Sequence, residues 1–231
     1  MFKRKLLLVI EGNIGAGKSF LLAALKEKMK NDKTVLFVNE PVEQFSYAVV
    51  HGNKYNPLKS FYEQPHRFAF STQLWILECY KKQLEELARI STERTVIIMD
   101  RGIYSTNIFI RSAHERGLIN DFERDFLLQA TRDVIKQFFG IGKEEKFGAD
   151  KLYYLDTPFR KCLERIRERN RLEEKNMRDT HILLQSISEF YTSYVKDFGR
   201  TEGRNQVEVF YDENINEIVA NFLRFLERFE T

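Results

Sequence analysis

The chain has 231 residues, with 37 Lys and Arg against 34 Asp and Glu and a formal net charge of +3. That length suits a single domain, residues 1–231, which can bury its own core without staples, and so slight a charge gives no ground for nucleic-acid binding. The two cysteines, Cys79 and Cys162, stand alone in apolar-periodic helical stretches and read as buried, inert thiols, with nothing to suggest a disulfide framework or a zinc site.

In chain order, MFKRKLLLVIEG starts like a signal peptide, but its apolar run is short and ends in Glu11 instead of a small-residue cleavage site. No stretch is long and apolar enough to span a bilayer. The expectation is therefore a soluble, cytoplasmic protein without a membrane partner. Residues 6–10 form a continuous apolar run, as expected of a strand covered on both faces. It leads into Gly12-Asn13-Ile14-Gly15-Ala16-Gly17-Lys18-Ser19, a G-x-x-x-x-G-K-[ST] pattern followed by an apolar-periodic helix over 18–30. Such a loop turns its backbone N–H groups inward as a nest for phosphate oxygens, at the positive end of the next helix. Lys18 can reach the β- and γ-phosphates, and the Ser19 hydroxyl can ligate Mg²⁺.

VLFV at 35–38 is a second strand, and Glu40 follows it as either a general base or an ordinary turn residue before Pro41. A helix over 65–90 sets one amide, Gln73, among aromatics. If buried, that amide needs partners, and its donor–acceptor pair complements a nucleobase edge. After VIIM at 96–99 come Asp100, in the place of a Mg²⁺-side carboxylate, and Arg101, which can approach a substrate oxygen. The alternative reading of this pair is a structural ion pair capping a helix. A helix over 121–139 precedes a charged, glycine-rich loop over 140–149, and LYYL at 152–155 is the fourth strand. Thr157 is expected to cap the following helix, 158–171, with Pro158 at its first position. That helix carries Arg165, Arg167, Arg169 and Arg171, and it breaks where a basic lid could close over a triphosphate. A helix over 179–198, VEVF at 207–210 and an amphipathic helix over 214–229 complete the chain. Strands alternating with helices imply an α/β, doubly wound, five-stranded parallel sheet with right-handed crossovers and ligands beyond the strands' carboxyl ends.

These motifs, in their order and spacing, resemble the deoxynucleoside kinase family, the one containing deoxycytidine, deoxyguanosine and mitochondrial thymidine kinases. IEGNIGAGKS looks like its phosphate loop, Glu40-Pro41-Val42 like the motif whose Glu takes the 5′-OH proton, and DRGIYS at 100–105 like its acid-Arg-Ser motif, with Gly102 in place of Ser. The resemblance implies a P-loop kinase fold with an arginine-rich lid at about 165–178, ATP and Mg²⁺ as cofactors, a small deoxynucleoside as substrate, and a homodimer. It places Lys18, Arg165, Arg169 and Arg171 on the phosphoryl group, and Ser19 and Asp100 at Mg²⁺. It places Tyr62 and Glu174 on the sugar 3′-OH, Gln73 on the base, and Asp212 and Asn214 in a loop around adenine. Where cytidine- and purine-preferring members carry an Arg and an Asp, this chain has Tyr80 and Thr106, which implies a pyrimidine-leaning, permissive enzyme that accepts thymidine. Ile110 falls where an aromatic usually stacks on the base, leaving Phe45 and Phe70 to supply the sandwich. The alternatives are a nucleoside monophosphate kinase of thymidylate type, which Glu40 disfavours by repelling the acceptor's phosphate, and a non-catalytic structural relative.

Overall fold

β1 (Lys5–Gly12) is apolar on both faces, and its alternation sorts the core into two layers. Leu7 and Val9 point to one side of the sheet, while Leu6, Leu8 and Ile10 point to the other. The computed structural model describes residues 5–90, 95–139, 149–169, 180–201, 207–211 and 214–230. Within these, β2 (Val35–Val38), β5 (Thr95–Asp100), β6 (Lys151–Leu155) and β7 (Val207–Phe210) join β1 in the order β2-β5-β1-β6-β7, and every pairing is parallel. All five strands fall where the apolar runs place them.

Helices cover both faces. α4 (Pro65–Arg89), α6 (Asp121–Phe139) and α8 (Thr180–Thr201) pack on the Leu7 side through Leu84, Ile135, Ile187 and Tyr191. α1 (Lys18–Lys28), α7 (Phe159–Arg169) and α9 (Ile215–Glu230) pack on the Leu8 side through Leu21, Cys162 and Phe222. Tyr153 of β6 stacks on Phe222 with ring centroids 3.5 Å apart. Burying each such side chain contributes roughly 1.5–3 kcal/mol. Cys79 and Cys162 are both buried, as expected, and burial pushes each thiol up to about 11.

Four regions have structure that the sequence periodicity does not announce. After β2 come α2 (Val42–Phe45), an antiparallel hairpin of β3 (Ala48–Val50) and β4 (Asn53–Tyr55), and α3 (Pro57–Glu63). The hairpin turns on His51 and Gly52, both at positive φ (49° and 80°), as a two-residue primed turn requires. The Asn56 side chain caps α3, accepting from Lys59 N–H at 2.9 Å, with Pro57 at its first position. α5 (Ser105–Glu115) follows β5 and buries Ser105, Thr106, Asn107 and Ser112 among its apolar residues, which hides its helical period. A satellite core of Phe61, Ala69, Ile110 and Leu127 ties α3, α4, α5 and α6 together.

Thr157 does not cap a helix through its side chain. α7 begins at Phe159, and the Thr157 hydroxyl donates to the Ala16 carbonyl at 3.0 Å, pinning the glycine loop to the end of β6. The loop expected over 140–149 lies outside the described residues except for Ala149. So does the lid beyond Arg169.

Candidate active site

The parallel sheet brings the carboxyl ends of β1, β2 and β5 to one edge, and the candidate residues collect there. Gly12 ends β1, Glu40 follows β2, and Asp100 ends β5. Gly15 at φ +80° lets the glycine loop pass against α7. A Cβ at that position would lie 2.5 Å from the Cys162 carbonyl oxygen. Gly17, left-handed at φ 102°, opens α1. Lys18 is buried and donates to the carbonyls of Gly12 (3.1 Å) and Asn13 (2.9 Å). Burial, then the Arg101 charge, lowers its ammonium to about 8, against the pull of Asp100, Glu40 and Glu11. The Asn13 side chain turns away from the loop's mouth and donates to the Leu184 carbonyl and to Ser188 Oγ, both at 2.7 Å, so it anchors the loop to α8.

Ser19 Oγ donates to Asp100 Oδ2 at 2.5 Å, and Asp100 Oδ1 is buried without a hydrogen-bond partner among the described residues. An oxygen pair with a spare carboxylate lone pair suits a hard cation that keeps most of its shell from water and phosphate. Arg101 is paired with Glu40, not with Asp100: its Nε lies 3.0 Å from Glu40 Oε1. Its backbone sits at φ 65°, a left-handed conformation that a non-glycine residue adopts at a cost of roughly 1–3 kcal/mol. Burial opposes the guanidinium charge, but Tyr191, Glu40 and Glu11 more than offset it and raise its proton affinity.

A cavity of about 390 Å³ runs from the glycine loop (Ile14, Gly15, Gly17, Lys18, Ser19) past Glu40 and Arg101 to a far wall of Gln73 and Tyr80. Phe45, Tyr62, Thr106, Arg165 and Arg169 also line it. Gln73 Oε1 and the Tyr80 hydroxyl are buried without partners among the described residues, so the far wall presents polar atoms that a bound molecule can satisfy. Thr106 has spent its proton on the Ile103 carbonyl at 2.7 Å. Arg165 donates to the Ala16 carbonyl at 3.0 Å, which draws α7 onto the glycine loop.

Two expectations need correction. Ile110 does not face the cavity. It is 1 % exposed in the satellite core, and Phe109, one residue earlier on α5, takes the wall position. Phe109 also lies under the Arg101 guanidinium, 5.0 Å from its ring centre. Phe70 does not line the cavity either; it packs outside, 5.9 Å from Phe126. Of the expected adenine-loop residues Asp212 and Asn214, only Asn214 is described; its side chain accepts from Asn216 N–H at 2.9 Å at the start of α9, and it lines neither the cavity above nor the next one. A second cavity of about 420 Å³ beside the loop is lined instead by Phe20, Arg165, Phe210, Ile215 and Ile218, among others. Arg171, Glu174 and Asp212 lie outside the described residues. The sequence reading missed Glu11 and Tyr191, which flank Arg101; the signal was a lone acid at the end of an otherwise apolar strand. Phe109 was recoverable from its i+3 spacing to Thr106.

Among the described residues no cluster of three or more His, Cys, Asp or Glu could hold a metal, and no helix is long and apolar enough to cross a membrane. Over 193 residues the chain is 28% identical to a deoxyadenosine kinase of Dictyostelium discoideum, covering 84% of this chain and 68% of that one. Over 185 residues it is 29% identical to the deoxycytidine kinase of Homo sapiens, covering 73% and 67%. A solved deoxyadenosine kinase of M. mycoides with bound dCTP aligns with a TM-score of 0.73 at 18% identity, over 96% of this chain and all of that one, which shows a shared P-loop kinase fold. The sequence model of deoxynucleoside kinases matches residues 8–228, from β1 into α9, and on that match the chain is an enzyme belonging to the deoxynucleoside kinase family.

Proposed function

We propose that this chain transfers the γ-phosphoryl group of ATP to the 5′-hydroxyl of a 2′-deoxynucleoside, with a leaning to pyrimidines that includes thymidine. The observation that carries this reading is one continuous cavity with the phosphate loop at one end, Gln73 and Tyr80, unpartnered among the described residues, at the other, and the Glu40–Arg101 pair between them. Glu40 is the general base for the 5′-OH, and Arg101 aims both the carboxylate and the oxygen. Lys18, Arg165, Arg169 and Arg171 carry phosphoryl charge, where one well-placed arginine is worth roughly 10³–10⁵ in rate. Ser19 and Asp100 would hold Mg²⁺, which supplies counter-charge to the phosphates. Tyr62 and Glu174 hold the sugar. The remaining chemistry is positioning and electrostatics, in keeping with a site of one base and many cations.

Base preference follows from the far wall. Gln73 can pair with any base edge that offers a donor and an acceptor, so it sets orientation. With Thr106 bonded to Ile103 and Tyr80 neutral, neither residue offers a charged contact dedicated to an amino group. Sites shaped by contact rather than by dedicated hydrogen bonds discriminate weakly. The named relatives act on deoxyadenosine and deoxycytidine. A panel of four deoxynucleosides assayed with ATP and Mg²⁺ tests the reading: both pyrimidines should turn over. Tyr80→Met, which removes the ring packed 5.7 Å from Phe45, should raise thymidine efficiency relative to deoxycytidine. Turnover of purines alone overturns the base preference, and turnover of none overturns the kinase reading. The exposed side chains of Phe122 (74 %), Phe126 (45 %) and Leu74 (39 %) are continuous with Phe70 across α4 and α6 and support a homodimer through that face.

A further inference from the structure

Glu11 is a wholly buried carboxylate beside the guanidinium on which the proposed reaction depends, yet that reaction gives it no task. Its Oε1 accepts from Gly102 N–H at 3.0 Å and from the Ser105 hydroxyl. Its Oε2 accepts from the Tyr191 hydroxyl at 2.7 Å. Arg101 Nη1 donates to that same hydroxyl and stands 4.0 Å from Glu11 Oε2, while Arg101 Nε faces Glu40 at 3.0 Å. The guanidinium thus lies between two carboxylates, in ion-pair contact with Glu40 through an Nε that makes no aligned hydrogen bond among the described residues, and held off Glu11 by the hydroxyl.

We propose that Tyr191 is a positioning residue for phosphoryl transfer: its hydroxyl, seated between Arg101 Nη1 and Glu11 Oε2, holds the guanidinium off Glu11 so that Nε stays on Glu40. This rests on the kinase reading of the Glu40–Arg101 pair. The physical reason is competition in a dry site. Opposite charges a few ångströms apart away from water attract strongly, and Glu11 is buried where Glu40 opens on the cavity. Without the hydroxyl, Glu11 Oε2 has lost its donor, an expensive state for a buried acceptor. Arg101 Nη1 is the cation that can replace it. Moving there pulls Nε from Glu40 and frees the base to swing. The ring of Tyr191 has a separate task, packing 5.4 Å from Tyr154 and edge-on to Tyr194, and phenylalanine preserves that task.

The test is the full-length chain carrying Tyr191→Phe, assayed with ATP and the best deoxynucleoside of the panel. Misplacing a reacting group by about 1 Å costs on the order of 10²-fold, so kcat should fall about 10- to 100-fold with both KM values within about threefold. Adding Glu11→Gln removes the competing charge and should recover most of the lost turnover, which simple damage to packing would not allow. Unchanged kcat in Tyr191→Phe, or a loss that Glu11→Gln leaves in place, overturns the proposal. Should the single variant fail to fold, the double variant still decides, because it buries no unpaired carboxylate: turnover above one-tenth of the parent, on that roughly 10- to 100-fold scale, supports the proposal and less overturns it. A crystal structure of Tyr191→Phe separates this from the kinase reading itself. Arg101 Nε out of ion-pair contact with Glu40, with Nη1 on Glu11, supports the positioning role whatever the substrate, and an unmoved guanidinium overturns it. A parent without nucleoside turnover counts against the kinase reading alone.

Discussion

At the scale of single residues, the site is a chain of charges whose members come from distant parts of the sequence. Glu40 is held by Arg101, which sits in a left-handed backbone conformation that neighbouring contacts must sustain. For Glu40 as the proposed base, Glu40→Gln should leave nucleoside binding close to the parent while kcat falls at least about a hundredfold, the scale of general-base loss. Steady-state kinetics with a parallel binding titration checks this, and near-normal turnover removes Glu40 from that role. Gln73, Tyr80 and Lys18 were legible because each breaks an expected pattern: an amide among aromatics, a ring where the family resemblance implies charge, a lysine closing a glycine loop. Ile110 was expected where Phe109 stands because neighbouring residues on a helix point about 100° apart, and packing against α6 sets the rotation of α5.

At the scale of elements, the glycine loop and α7 are fitted to one another. Gly15→Ala must put a Cβ onto the Cys162 backbone at positive φ, so the loop or the helix has to give. Strain of roughly 1–3 kcal/mol should appear as a KM for ATP raised about tenfold or more with nucleoside KM little changed. Equal changes in both KM values would place the loop outside the donor site. On the same face of the sheet, β6 and β7 are linked by Lys151 and Glu208 at 2.9 Å, with Asn221 of α9 donating to the same carboxylate. Burial alone would raise the Glu208 carboxyl, but these hydrogen bonds hold it below its ordinary 4.5. Folded protein then binds fewer protons than unfolded chain between the depressed value and 4.5. The contribution to stability is therefore present above that window and lost as pH falls through it. Glu208→Gln should lower Tm at pH 7 by no more than about 2–4 °C, the shift that roughly 1 kcal/mol produces in a chain of this size, because the Glu208 side chain is 34 % exposed and solvent screens the pair. As pH falls far enough to protonate the parent carboxyl as well, the gap should close. A gap that persists there would assign the effect to packing.

At the scale of the whole molecule, one face of α4 and α6 stays apolar and exposed. The sheet has used the opposite faces of these helices for its core, and Phe122, Phe126 and Leu74 are left over. If the proposed homodimer uses that face, the parent should elute above its 27.5 kDa chain mass, and Phe122→Glu should shift it to monomer with an unchanged circular dichroism spectrum. A parent that runs as a monomer at micromolar concentration defeats the assignment.

The sequence by itself determined the five strands, the two-sided core and the position of the phosphate loop, because continuous apolar runs and a G-x-x-x-x-G-K-S spacing are local patterns that short-range sterics and burial read directly. It also carried the choice of Glu40, Arg101 and Gln73, each marked by its distance from a strand end or by its conflict with its neighbours. Tertiary structure alone decided what those residues touch. Arg101 turns to Glu40 rather than to Asp100, Thr157 holds the glycine loop instead of capping a helix, and Glu11 meets Tyr191 across 180 positions of chain. Side-chain direction depends on helix rotation and on the crossing of parallel strands, which arise from packing the whole core and leave no period in the sequence.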